Sequence, residues 1–214
     1  RAKMACLAGL LLCGLSLLLC HKEARAADKF PSRPVEVIIC FAPGGTLDFA
    51  VRLMGNELAK ALGVAVILTN KGGGGGAVGT EFVAKARPDG YTILSAPIGV
   101  FNILPFIVRD IRYKLSDFIP LCKYNNSASV LLVKKDSPYR NLNDLIADGK
   151  QNPGKLTAGI AGTGTAVHLT LEMFKIETGM DAAILPFKSG GEVNTALLGG
   201  HVSFVFNGLP PSLG

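Results

Sequence analysis

The chain has 214 residues, 49% of them hydrophobic and 18% charged, with no tryptophan. That is enough length and apolar content for one large or two small globular domains. The net charge of +6 shrinks on inspection: residues 1–26 hold four basic residues and one acidic one, so the remainder carries about +3. Its basic residues are scattered, without aromatic interleaving, and nucleic acid is not an expected partner.

Arg1 and Lys3 precede an apolar run from Met4 to Cys20, followed by His21-Lys22-Glu23 and then Ala24-Arg25-Ala26. A basic start, an apolar centre and an A-x-A end describe a secretory signal, cleaved after Ala26. The competing membrane span sits at the short limit of length, with Gly9 and Gly14 inside. A lipoprotein signal is disfavoured because Leu17-Leu18-Leu19-Cys20 lacks the usual small residue before the cysteine. Three of the five cysteines leave with this segment. Cys40 and Cys122 are too far apart in sequence to suggest a staple and read as free, buried thiols. With no C-x-x-C and only His168 and His201 left, no metal or other cofactor is expected.

The first element is an apolar β-branched run, Val35 to Cys40, the pattern of a buried strand. Phe41-Ala42-Pro43-Gly44-Gly45-Thr46-Leu47-Asp48 follows, and Leu47, Val51, Met54, Leu58 and Leu62 then mark one face of a helix. The octapeptide is a strand-to-helix turn, with Thr46 as predicted N-cap and Asp48 in the first turn, where a carboxylate suits the helix dipole. Gly63 stops the helix and Val64 to Leu68 reads as a second strand. Five glycines, Gly72 to Gly76, precede a helical stretch around Val78 to Ala84. Arg87-Pro88-Asp89-Gly90 is a turn and Tyr91 to Leu94 a third strand. Strands alternating with helices over short connections imply a parallel sheet. The formal G-x-G-x-x-G in the glycine run, Gly74, Gly76 and Gly79, follows the second strand. No acid stands at a later strand end to hold a ribose, so a nucleotide site is not expected.

From Asp117 onward two short apolar segments, Phe118 to Lys123 and Val130 to Lys134, flank a polar joint. Asn141 caps a helix, and Leu156 to Ala161 is a strand. Gly162-Thr163-Gly164-Thr165 then leads into a helix with Val167, Leu171, Phe174 and Thr178 on one face and Gly179 at its end. This second glycine-threonine turn repeats the design of the first. A strand around Ile184-Leu185, the loop Phe187-Lys188-Ser189-Gly190-Gly191, a short helix and the strand Val202 to Phe206 complete the pattern. With the chain ending at Gly214, Phe204 and Phe206 are expected to expose apolar surface.

Two such turns at helix N-termini suggest two lobes facing one cleft, with backbone N–H groups available to a small anion. Nucleophilic catalysis finds no motif: there is no G-x-S-x-G elbow and no P-loop. An enzyme using Lys188 or His168 as base remains the alternative from another class. His201 reads as surface.

Five motifs occur in order: Phe41 to Asp48, Pro88-Asp89-Gly90-Tyr91-Thr92, Asn152-Pro153-Gly154-Lys155-Leu156, Gly162 to Leu169, and Leu197-Leu198-Gly199-Gly200-His201-Val202. Together they resemble the Bug family, the periplasmic solute-binding proteins of tripartite tricarboxylate transporters. The resemblance implies an α/β, two-lobed periplasmic-binding-protein (Venus flytrap, type II) fold with doubly wound parallel sheets. Lobe 1 would span residues 27–121 and lobe 2 residues 122–214, the second incomplete. It implies a periplasmic monomer, not an enzyme, that binds a small carboxylate and hands it to membrane permease subunits; a sensor-kinase partner is the alternative. Carried over onto matching positions, Ala42, Pro43, Gly44, Gly45, Thr46 and Asp48 would line the cleft from one lobe. Gly162, Thr163, Gly164, Thr165 and His168, with Lys188, Ser189 and Asn207, would line it from the other. Ser189 stands where the family usually has Gly, and Asn207 where it often has Asp. Neutral Asn207 is expected to favour a carboxylate without an ammonium group, unless it faces solvent at its strand end.

Overall fold

The computed structural model describes residues 29–126 and 128–208. The secretory-signal segment, 1–26, lies outside them. By internal contacts the chain divides into residues 1–32 and residues 33–214, and both sheets belong to the latter.

Val35–Ile39 forms strand β1, buried along nearly its whole length. The burial follows from its place: it lies between β2 (Val66–Asn70) and β3 (Thr92–Ser95), parallel to both, in the order β2-β1-β3. Val37 is paired with Leu68 on one side and Ile93 on the other. A central parallel strand has both faces covered, which is why its sequence reads as a run of Val and Ile and not as an alternation. Helix α1 (Thr46–Leu62) packs Val51 onto Val37 and Ile39 and ends at Gly63, whose φ of +70° closes the last turn. Helix α2 (Ala77–Ala84) follows a short 3₁₀ turn at Gly74–Gly76.

After β3 come two short helices, α3 (Gly99–Asn102) and α4 (Leu104–Ile107). The apolar stretch Phe118 to Lys123 forms no strand. Phe118 stands edge-on to Phe101 and Tyr113 in an aromatic cluster, so side-chain packing and not ladder pairing uses that hydrophobicity. Further along, the Tyr124 hydroxyl is hydrogen-bonded to Ser95 at the end of β3.

The second sheet runs β4-β7-β5-β6, built from β4 (Ser129–Leu132), β5 (Thr157–Ala161), β6 (Ala183–Phe187) and β7 (Phe204–Gly208). β5 is parallel to β6 and β7, whereas β4 runs antiparallel to β7 at the edge, so this sheet is mixed and not purely parallel. Helices α5 (Leu142–Gln151), α6 (Ala166–Thr178) and α7 (Gly190–Leu198) complete the order. Asn141 caps α5 as expected, its side chain accepting the Asp144 N–H at 3.1 Å.

Phe204 and Phe206 are buried, not exposed, at 0% and 7%. β7 lies inside the sheet between β4 and β5, and Phe206 meets Phe174 of α6 edge-on at 5.6 Å. Both join Leu145, Leu156, Ile160 and Leu171 in one cluster. Cys40 and Cys122 are free, as read; Cys40 is buried but Cys122 is exposed. Among the described residues no helix is long and apolar enough to cross a membrane.

Truncating a fully enclosed aromatic ring leaves a cavity that surrounding side chains only partly fill. Phe204→Ala is therefore expected to lower stability by about 3–5 kcal/mol, read by chemical denaturation of the full-length protein; a change under about 1 kcal/mol would contradict the central placement of β7.

Candidate functional site

The first turn is built by a carboxylate. Gly44, at φ +84°, reverses the chain after β1. Gly45 and not Thr46 is the N-cap of α1, extended and with no side chain capping the helix; Thr46 is its first residue. Asp48, 4% exposed, turns back and accepts the Gly44 N–H at 3.0 Å. Arg52 Nε donates to both Asp48 oxygens at 3.0 Å, and Asn70 Nδ2 donates to Oδ1 at 2.9 Å. Asn70 also donates to the Phe41 carbonyl and accepts from Arg52. Burial works against the charged form of Asp48, but the hydrogen bonds from Arg52, Gly44 and Asn70 outweigh it and hold the carboxyl below its usual range. Its lone pairs are committed to the frame of the turn. Ala42 is half-buried and Pro43 exposed on the same loop.

The second turn repeats the device with different chemistry. Gly162 and Gly164 have φ of +80° and +76°. Thr165 is the N-cap of α6: its hydroxyl donates to the Gly162 carbonyl at 3.0 Å and accepts the His168 N–H at 3.3 Å. The Gly164 N–H donates to His168 Nδ1 at 3.1 Å. Thr163 is exposed, and the Gly162 N–H is bound to the Phe187 carbonyl at the end of β6.

The loop after β6 carries the remaining residues. Lys188 is exposed. Ser189 is 1% exposed and caps α7, accepting the Glu192 N–H at 3.3 Å, while Glu192 accepts the Lys188 N–H at 3.0 Å. Asn207 is 4% exposed, which removes the solvent-facing alternative. It donates to the Gly190 carbonyl at 2.9 Å and to Asn194 at 2.8 Å, bracing the start of α7 from below.

These loops meet through glycine. A Cβ at Gly45 would stand 3.3 Å from the Gly190 nitrogen, and one at Gly191 would stand 2.9 Å from the Gly44 carbonyl. A Cβ at Gly75 would strike the Thr163 carbonyl, and the Gly162 backbone lies against Phe41 and Gly75. The N-termini of α1 and α7 thus come together, and the second turn rests on the glycine run. A helix N-terminus carries roughly half a positive charge, so the α1–α7 junction joins two like poles. An open depression of about 340 Å³ runs along α1 from Gly44 past Asp48, Phe49 and Arg52 to Leu53; it includes no residue of the second turn or the α7 loop. Behind the first turn, burial pushes the Cys40 thiol up to about 12, leaving it protonated and unreactive.

Sequence reasoning did not single out Arg52, Asn70, Gly75 or Gly191. Arg52 had a signal, the i, i+4 spacing from Asp48. Asn70 had none, because only strand pairing carries it back to the first turn. The sequence weighs the five glycines only as a nucleotide loop, whereas Gly72 and Gly75 here admit neighbouring backbone and Gly73 to Gly76 take positive φ.

Two α/β units with strand-to-helix turns meeting at the C-terminal ends of their central strands define the periplasmic-binding-protein class. Residues 50–213 match the model of the tripartite tricarboxylate transporter family receptor, and the chain belongs to that family. Protein BugT of Bordetella pertussis is 34% identical over 194 residues, covering 88% of this chain and 58% of BugT. Among solved structures, that of R. palustris Rpa4515 with adipate superposes at TM-score 0.81 with 30% identity, covering 86% of this chain and 62% of that one. MatC from Rhodopseudomonas palustris with bound malate gives 0.77 and 26%, covering 86% and 63%. The chain spans about three fifths of the length of the relatives it matches.

Two expectations follow. Asp48→Ala removes hydrogen bonds to a charged acceptor and is expected to cost about 1.5–3 kcal/mol at neutral pH. Because the folded-state carboxyl is held low, this contribution is present above the ordinary carboxylate range and disappears as pH falls through the folded value. Denaturation at a series of pH values should show wild type and variant converging only in acid. Gly191→Ala, where no positive φ is required, is expected to hold the α7 loop off Gly44; small-angle scattering of the full-length variant should show a more extended particle than wild type.

Proposed function

We propose that the full-length protein is a periplasmic receptor, acting as a monomer, that captures a small carboxylate between two lobes and delivers it to the permease subunits of a tripartite transporter. The lobes of this reading are residues 27–121 and a second beginning at 122. The observation that carries it is the junction of α1 and α7, where two helix N-termini meet at Gly45 and Gly190 and α1 has no side-chain cap. Like poles in contact repel, and an anion seated beside the junction, against both termini, offsets that repulsion. Solved relatives hold adipate and malate, which supports the same ligand class.

Backbone N–H groups of Gly45 and Thr46 in the first turn and of Thr163 and Thr165 in the second bind the carboxylates in this reading, those of Gly44, Gly162 and Gly164 being held by Asp48, Phe187 and His168, with the Thr46 hydroxyl as the side-chain donor. The Thr165 hydroxyl is occupied by its own cap. Lys188 supplies an exposed positive charge nearby. Asn207 acts from behind, as a neutral brace for α7. Asp48 is held by Arg52, Gly44 and Asn70, so the first-turn carboxylate does not pair with a ligand ammonium group, and the reading favours a di- or monocarboxylate over an amino acid.

Calorimetry of the full-length protein with malate, adipate and aspartate tests this. Binding of malate or adipate, with aspartate weaker, is expected. Thr46→Val should weaken the bound acid roughly ten- to a hundredfold through loss of one hydrogen bond to a charged group. Preference for aspartate, or full affinity in the folded variant, would count against the assignment.

A further inference from the structure

Asp48 and His168 occupy the same place in their two units. Each is the third residue of the helix that follows its turn, and each lies four residues after a glycine of positive φ. Each accepts that glycine's N–H, at 3.0 Å for Gly44 to Asp48 and 3.1 Å for Gly164 to His168. The next position along the same face repeats as well: Arg52 follows Asp48 by four residues and Glu172 follows His168 by four, with Nε2 and Oε1 3.8 Å apart. The two units therefore use one latch twice, with opposite charge order.

The latches differ in what holds them. A carboxylate braced by Arg52, Asn70 and Gly44 keeps its acceptor oxygens throughout the neutral range. An imidazole accepts at Nδ1 only while that nitrogen is unprotonated; protonation turns both ring nitrogens into donors, and the Gly164 N–H then faces another N–H. Gly164 is packed against Leu104 and Ile107, and neither the segment 98–107 nor the glycine run contains a titratable residue. The charged groups nearby are Glu172 and its partner Lys175 on α6. Lys188 and Glu192 lie on the loop that follows Phe187, whose carbonyl holds Gly162.

We infer that Asp48 and His168 are equivalent positioning residues, and that only the His168 latch opens on mild acidification, weakening the receptor's hold on its carboxylate. The inference rests on the carboxylate-binding reading above. Loss of the Nδ1 bond frees Gly164 and with it the backbone of the second turn, while the first turn stays fixed. His168 shapes the turn without itself touching the ligand.

Two measurements on the full-length protein separate the inference from the reading it rests on. In the ligand-free protein, the amide resonance of Gly164 should move with pH in step with the His168 imidazole signals; a Gly164 signal that stays put while His168 titrates would overturn the latch. In the second, malate and adipate affinities are compared between about pH 7.5 and pH 5.5 for wild type and His168→Asn. The asparagine oxygen sits near the place of Nδ1 and does not titrate. The ligands' own protonation is common to both proteins, so the difference reads His168 alone. Wild type is expected to lose about three- to tenfold more affinity than His168→Asn on acidification. Parallel loss in both proteins would overturn the release. Failure of both acids to bind at any pH would overturn the carboxylate reading and the release together, while a titrating Gly164 would still establish the latch.

Discussion

The arrangement of the first turn depends on one hydrogen bond, from the Gly44 N–H to the buried Asp48 carboxylate. That bond fixes a glycine whose φ of +84° would otherwise be one state among many. Because Arg52 and Asn70 hold the same carboxylate, α1 and β2 are tied to the turn through a single side chain. A buried charge is costly unless every lone pair is answered, and here each is answered by a donor belonging to the frame. The consequence is functional: the charge that most resembles a ligand partner in the sequence is neutralised by its own scaffold, leaving the bare end of α1 as the electropositive feature.

The second constraint is steric. Backbone from the two units approaches more closely than any side chain allows, at Gly45 against Gly190, Gly191 against Gly44 and Gly75 against Thr163. Such contacts bring helix termini together, where burying two apolar side chains would hold them several ångströms apart. Asn207 and Ser189 support this from within, one carrying the Gly190 carbonyl and the other capping α7. Close backbone approach explains Gly72 and Gly75 in the run of five, and positive φ explains Gly73, Gly74 and Gly76.

The family assignment gives these local features a common purpose. A receptor for a carboxylate must place donors around an anion without presenting acidic groups to it. In the proposed reading the chain meets that need by committing Asp48 to its own frame, by placing an imidazole acceptor in the corresponding position, and by setting the amide of Asn207 beneath α7.

Local chemistry was legible from residues alone wherever the cause lay within a few positions. The β-branched run of β1, the glycine stops at Gly63 and Gly179 and the Asn141 cap all follow from short-range patterns. The glycine-threonine turns were legible for the same reason, because positive φ and helix capping are properties of three or four consecutive residues. What depended on distant partners was not. Thr46 lost the cap to Gly45, because Asp48 draws the Gly44 N–H back and shifts the helix start by one. The Phe118 to Lys123 stretch, apolar enough for a strand, spends Phe118 on Phe101 and Tyr113. Phe204 and Phe206 are buried because β7 inserts between β4 and β5, an ordering that hydrophobicity along the chain cannot encode. Periodicity records which face of an element is apolar, whereas the partner that covers it, and the glycine that lets a backbone in, are fixed only when remote segments pack.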